Sequence, residues 1–235
     1  MTPQKTMKII PPRPPLVKGG WGDFQTNLLK IYQKLYQFFG PQHWWPGDTP
    51  FEIAVGAILT QNTNWGNVEK AINNLKKQKA LSAKAIHKMT VRELSELIRP
   101  SGYFNIKARR LKCFIEFFMN EYRGSIKRMK NEDVHSLRRK LLGISGIGPE
   151  TADSILLYAL EKPIFVIDAY TKRVLSRHSI LEHDEPYERF QKLFHSSLKE
   201  DVKLFNEYHA LFVRAGKIYC KLKNPLCEKC PLGTY

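Results

Sequence analysis

The chain has 235 residues, 43% of them hydrophobic, which is enough for the core of one large domain or two small ones and excludes a mostly disordered polymer. No apolar run approaches the roughly 20 residues of a membrane-spanning helix, and residues 1–18, basic and proline-rich, lack a secretory apolar stretch and read as a tail. A formal charge of +16 points to a polyanionic partner, most often nucleic acid, and the expectation is an intracellular, cytoplasmic protein with no membrane contact.

Beyond the tail, apolar residues recur at spacings of three and four. Phe24, Leu28, Ile31, Leu35 and Phe38 predict a helix over Asp23 to Phe39, ended by Gly40. Phe51 to Leu59 and Val68 to Leu75 predict the next two. Phe104, Ala108, Leu111, Ile115, Phe118 and Tyr122 predict a long one. From Phe104 to Lys140 eleven Lys or Arg face four acids, a candidate phosphate-facing surface. Ala152, Ile155, Leu156 and Ala159 mark a helix after a glycine turn. Tyr187 to Leu198 and Leu204 to Ile218 mark two more, and Ile164 to Ile167 is the one strand-like run. This pattern predicts an all-α fold of about ten short helices without an internal repeat.

The glycine turn is the most informative segment. An apolar helix carrying Leu137 and Leu141 runs into Gly143, then Gly146-Ile147-Gly148, then Pro149 at the start of the next helix. Glycines there leave backbone amides uncovered, and amides at a helix N-terminus hold a phosphate without reading a base. By itself the segment is equally an ordinary helical hairpin. Eighteen residues after Glu150, the apolar run Ile164 to Ile167 delivers Asp168 to the start of another helix. A lone aspartate there is an N-cap. The same place keeps a carboxylate ionised, as a reaction through an oxocarbenium-like sugar requires.

Together, Leu142 to Ala152 (LGISGIGPETA) and Val166 to Val174 (VIDAYTKRV) resemble the helix-hairpin-helix DNA glycosylase superfamily, whose best-known branch is endonuclease III. The resemblance runs from Trp44 to Cys230. It implies a six-helix barrel lobe over 42–162, with the hairpin at 137–160, and a second lobe from 19–41 and 163–235. Double-stranded DNA with a damaged base would lie across the groove between them, its target base flipped into the cleft of a monomeric enzyme. The superfamily's essential aspartate matches Asp168, and Gly146, Gly148 and Thr151 would hold DNA phosphate.

One departure bears on the reaction. Endonuclease III carries a lysine nucleophile where this chain has Glu150, and a carboxyl cannot form a Schiff base. The expectation is a glycosylase without strand cleavage. Trp44-Trp45-Pro46, Leu59 to Thr63 and Arg99 to Asn105 are similar to the endonuclease III-like 3-methyladenine glycosylases. The resemblance implies that Trp44 and Trp45 stack on an alkylated, cationic purine. It also implies that Gln61 fills the space of the flipped base and that Tyr103 wedges into the stack. The alternatives are a glycosylase for oxidised pyrimidines or mispaired bases, and a non-catalytic DNA-binding module.

Cys220, Cys227 and Cys230 follow the spacing C-x6-C-x2-C. Endonuclease III-like enzymes add a fourth cysteine and bind a 4Fe-4S cluster, so residues 220–235 are a candidate iron–sulfur segment whose fourth ligand is absent from the sequence. A truncated sequence, a cluster with another fourth ligand, a decayed site and zinc are the competing accounts. Cys113 reads as a small core residue.

Overall fold

The computed structural model describes residues 21–44 and 47–233, so the basic tail and Trp45 lie outside the described residues. The fold is all-α, with no strand among the described residues. In chain order the helices are α1 (Trp21–Phe39), α2 (Pro50–Leu59), α3 (Trp65–Lys77), α4 (Ala83–Lys88), α5 (Val91–Leu97) and α6 (Phe104–Tyr122). Then come α7 (Ile126–Lys130), α8 (Val134–Leu142), α9 (Pro149–Ser154), α10 (Ala169–Arg177), α11 (Tyr187–Ser197) and α12 (Val202–Ile218).

Side-chain caps start most of these helices. Thr49, Asn64, Ser82, Thr90, Ser125, Asp133, Asp168 and Asp201 each accept a first-turn backbone N–H. Thr90 and Glu93 complete a capping box. The short helices α4, α5 and α7 escaped the periodicity reading because each presents only one to three apolar contacts. Their capping residues and their packing against α6 define them instead.

Helix α2 packs against α3, α6 and α9, while α1 packs on α11 and α12, and α10 lies along α12. A single apolar cluster runs through all of these contacts. The rings of Phe165 and Phe194 stack with centroids 3.6 Å apart, and Tyr208 stacks on Phe212 at 4.6 Å. The Tyr208 hydroxyl donates to Leu28 O across 2.8 Å, fixing α12 to α1.

Two elements differ from the pattern in the sequence. After α9 the chain continues as a π-helical turn over Ile155–Ala159, so the predicted helix is wider than an α-helix at its C-terminal half. The run Ile164 to Ile167, strand-like in sequence, is buried and forms no strand; side chains of α11 are its hydrogen-bonding partners. Phe165 N–H donates to His195 Nε2, Ile167 N–H donates to the Tyr187 hydroxyl, and Gln191 Nε2 donates to Phe165 O. Buried backbone polar groups need partners, and side chains supply them here.

Asp153 ties this segment to the hairpin. It is fully buried and receives Arg138 through two hydrogen bonds, of 2.7 and 3.0 Å. The Tyr187 hydroxyl and Gln191 Nε2 also donate to it. One carboxylate therefore joins α8, α9 and α11. Removing Arg138 would leave that charge buried without its cation. Arg138→Met should lower unfolding free energy in urea by about 3 kcal/mol. A loss under about 1 kcal/mol, the scale of an exposed pair, would show that the pair does not hold these helices.

Candidate active site

Asp168 caps α10, with Oδ1 accepting Thr171 N–H at 2.7 Å, and only 9% of the residue is exposed. Burial opposes its charge, but His209 and the Thr171 amide outweigh burial, and its pKa is lowered. The aspartate is thus an ionised carboxylate in a nearly dry position, both cap and candidate reactive group. His209, on α12, approaches its other oxygen: Nε2 lies 3.5 Å from Oδ2.

Glu150 stands in the first turn of α9. The residue is exposed, yet enough protein packs around its carboxyl to disfavour the charged form. That incomplete solvation raises its pKa to about 7, with the Asp168 charge adding and His209 opposing. The two carboxyls are therefore held in different states by different surroundings, the arrangement from which acid and base roles arise.

The hairpin brings together several of the sequence-derived residues, though not all in the expected way. Gly146 sits at φ +84°, and a Cβ there would come within 2.3 Å of the Arg110 side chain. Gly148 faces open space, and a Cβ there would meet no atom within 4 Å. Neither N–H donates to a backbone carbonyl among the described residues, and both glycines are exposed. Thr151 differs from its expected role of facing phosphate: it is 7% exposed, and its hydroxyl accepts Gln61 Nε2 at 2.9 Å. Gln61 also donates to Gly146 O and accepts from Arg110, so every polar atom of its amide is engaged. The next residue, Asn62, is exposed with a left-handed backbone, φ +53°.

Tyr103 projects from the start of α6, 68% exposed and left-handed at φ +46°. Beneath it lies Lys107, a fully buried amine that donates to Leu59 O at 2.8 Å and Ser101 O at 2.6 Å. Burial, then the nearby Arg110, lowers its pKa to about 8. This lysine had no distinguishing signal in a basic stretch, yet it fastens the loop bearing Gln61 to the loop bearing Tyr103.

Trp44 is half-buried against the core, with the Lys217 ammonium 5.8 Å from its ring centre. Trp45 lies outside the described residues. Lys217 and His209 are eight residues apart on α12, about 12 Å along the axis, which relates Trp44 to the Asp168 neighbourhood.

Of the three C-terminal cysteines, Cys220 is buried, Cys227 exposed and Cys230 half-buried. Arg173 donates to Cys220 O, and Arg177 donates to Lys221 O and Leu222 O, which ties this segment to α10. Burial raises the Cys230 thiol pKa; the Leu232 amide opposes this and the other two thiols add to it. Among the described residues no three His, Cys, Asp or Glu side chains converge as a metal site. These donors do not make up a four-thiolate cluster site. Cys113 is free and packs beside the core from α6.

Comparison with known proteins fits this geometry. Residues 55–200 match the model of the HhH-GPD superfamily base excision DNA repair protein. A Methanocaldococcus jannaschii protein named "Putative DNA repair glycosylase MJ1434" is 46% identical over 88% of this chain and 94% of its own. The Helicobacter pylori 3-methyladenine DNA glycosylase, solved bound to 1,N6-ethenoadenine, is 28% identical with a TM-score of 0.67, over 85% of this chain and 98% of that one. A trapped endonuclease III–DNA covalent intermediate shares the fold at a TM-score of 0.76 and 20% identity, over 88% and 93% of the two chains. The chain belongs to the helix-hairpin-helix superfamily of base excision DNA repair glycosylases.

The two hairpin glycines should separate folding from DNA contact. Gly148→Trp has room in the free protein and should melt like the parent, while its affinity for undamaged duplex falls at least about tenfold through loss of phosphate contacts. Gly146→Ala meets Arg110 and a positive φ, and should lower the melting temperature itself. Equal melting losses in both variants would show that Gly148 is a packing position.

Proposed function

We propose that this protein is a monofunctional DNA N-glycosylase that releases alkylated purines from nucleotides flipped into the cleft, with Asp168 as the reactive carboxylate. The observation that carries this reading is the pair of carboxyls, Glu150 and Asp168, with no amine at the position of the nucleophilic lysine. As the bond between base and sugar breaks, its electron pair leaves with the base. The cationic sugar is stabilised by the ionised Asp168, and water adds to the anomeric carbon, leaving an abasic site. Glu150 carries no nitrogen to replace that water. The kinship with the Helicobacter pylori 3-methyladenine glycosylase supports a modified purine as the target.

In this reading a bare hairpin edge at Gly146 and Gly148 grips phosphate, and the exposed cations Arg109, Arg123, Lys127, Arg128 and Arg139 add Coulombic attraction. Tyr103 and Asn62 are the groups that enter the duplex. Asn62 takes that part because Gln61 is occupied by the hairpin. The protein acts as a monomer and is held to double-stranded DNA by these contacts.

A second reading, release of an oxidised or mispaired base, is favoured by one observation. Lys217 already covers the Trp44 ring, and a cationic base stacking there would meet a like charge. A panel of duplexes, each with one lesion (3-methyladenine analogue, 1,N6-ethenoadenine, oxidised pyrimidine, thymine opposite guanine), decides between the two. Release of modified purines alone supports the first reading; release of the pyrimidines alone overturns it.

Two outcomes test the chemistry. Asp168→Asn should reduce single-turnover base release by about 100-fold or more while still binding duplex. Borohydride added during turnover should trap no covalent protein–DNA adduct. A lesion-dependent trapped band would show an amine nucleophile and end the monofunctional reading.

A further inference from the structure

His209 is a buried polar group that the proposed reaction does not use. It lies on the face of α12 that packs against α10 and the π-helical turn, and it is 6% exposed. The Tyr158 hydroxyl hydrogen-bonds its Nδ1. Its Nε2 is buried without a hydrogen-bond partner and lies 3.5 Å from Asp168 Oδ2.

We propose that His209 is the positioning residue of Asp168: Tyr158 fixes the imidazole so that an Nε2–H points at Oδ2, and this contact tightens as positive charge develops on the sugar. The inference rests on Asp168 being the reactive carboxylate and holds whichever base is released.

The hydrogen-bond directions follow from the neighbours. An ionised carboxylate only accepts, so the ring nitrogen facing Asp168 Oδ2 is the one that carries a proton, and Tyr158, whose raised pKa keeps its hydroxyl protonated, can donate to Nδ1. That Nε2 proton faces Asp168 Oδ2. The other Asp168 oxygen is held by Thr171 N–H. Each carboxylate oxygen of Asp168 thus has its own neighbouring nitrogen. A separation of 3.5 Å is long for a finished hydrogen bond, as is common before substrate arrives. The groups facing His209 are Asp168 at the start of α10, Glu150 on α9 and Tyr158 on the π-helical turn. The Phe165 ring, 6.5 Å away at 81°, supplies the apolar wall.

The test compares His209→Leu, which removes the donor, with His209→Gln, whose amide nitrogen can stand near the Nε2 position. Single-turnover base release is followed across pH on a duplex whose lesion the wild-type protein excises. Affinity is measured on a duplex with a tetrahydrofuran abasic analogue. His209→Leu should slow release by about 10- to 100-fold, as loss of an orienting outer partner does at metal sites. Abasic-analogue affinity should stay unchanged. The acidic limb of its pH profile should move to higher pH, because a lost donor to the carboxylate raises the pKa of Asp168. His209→Gln should recover most of the rate.

A wild-type rate and unmoved acidic limb in His209→Leu would overturn the inference. So would equal losses of rate and melting temperature in both variants, since that is a packing role. Long-range nitrogen-15 spectra of the free protein test it without substrate: the Nε2–H tautomer supports the inference, and the Nδ1–H tautomer overturns it. Asp168→Asn, run alongside, separates the two ideas. If that variant retains full activity, the proposed chemistry fails; if it is inactive while His209→Leu is unimpaired, only the positioning role fails.

Discussion

An ionised carboxylate must be kept out of water and still stay ionised, and most of the molecule around Asp168 serves that constraint. Desolvation alone would protonate it. The first-turn amide of α10 and the imidazole at 3.5 Å oppose desolvation, but they act only if the backbone enters α10 at a fixed angle. That angle is set by the segment before it, whose peptide groups bond to side chains of α11 where a sheet would otherwise supply partners. The side chains of α11 are in turn fixed by Asp153, which belongs to the helix after the hairpin. A continuous set of buried polar contacts thus connects the helix after the glycine turn to Asp168.

The hairpin is similarly connected to the loops beside it. Gln61 is bound to Gly146 O and Thr151, and Arg110 braces both Gln61 and the underside of the turn. Lys107 joins the Gln61 loop to the Tyr103 loop through two carbonyls. A buried amine with two acceptors costs less than one with none, and its charge has no carboxylate competitor here. The glycine turn and the loops bearing Gln61 and Tyr103 are consequently parts of one braced surface. Tyr103 and Asn62 sit at left-handed positions at its edge, where a side chain projects away from the body.

Much of this was legible in the sequence, for identifiable reasons. Long amphipathic helices such as α1, α6 and α12 advertise themselves because half of each turn is buried. The glycine turn and Asp168 were legible because few residue types satisfy their backbone requirements. His209 was not, since a histidine beside Tyr208 in an apolar helix gives no sign that it will meet an aspartate 41 residues earlier. Gln61 and Thr151 were expected to face DNA separately, whereas they bind each other, a long-range contact that spacing cannot reveal. Ile164 to Ile167 carried a true signal of burial, but whether a strand or side chains would satisfy its backbone depended on α11.

A carboxyl at position 150 also bears on the charge of Asp168. An ammonium at that position would sit near Asp168 and favour its ionisation through opposite charge. A carboxylate there does the reverse, so two nearby negative charges would be mutually destabilising where solvation is poor. The pair avoids this by dividing its states: Glu150 moves toward neutrality, its pKa near 7, and Asp168 keeps its charge. Such a division requires a donor nearer to one carboxylate than to the other. The Thr171 amide and His209 provide that bias toward Asp168. A carboxyl in place of an amine is therefore compatible with the same fold and an ionised Asp168 only where the surrounding donors already favour Asp168, which is the arrangement that the start of α10 and the middle of α12 supply.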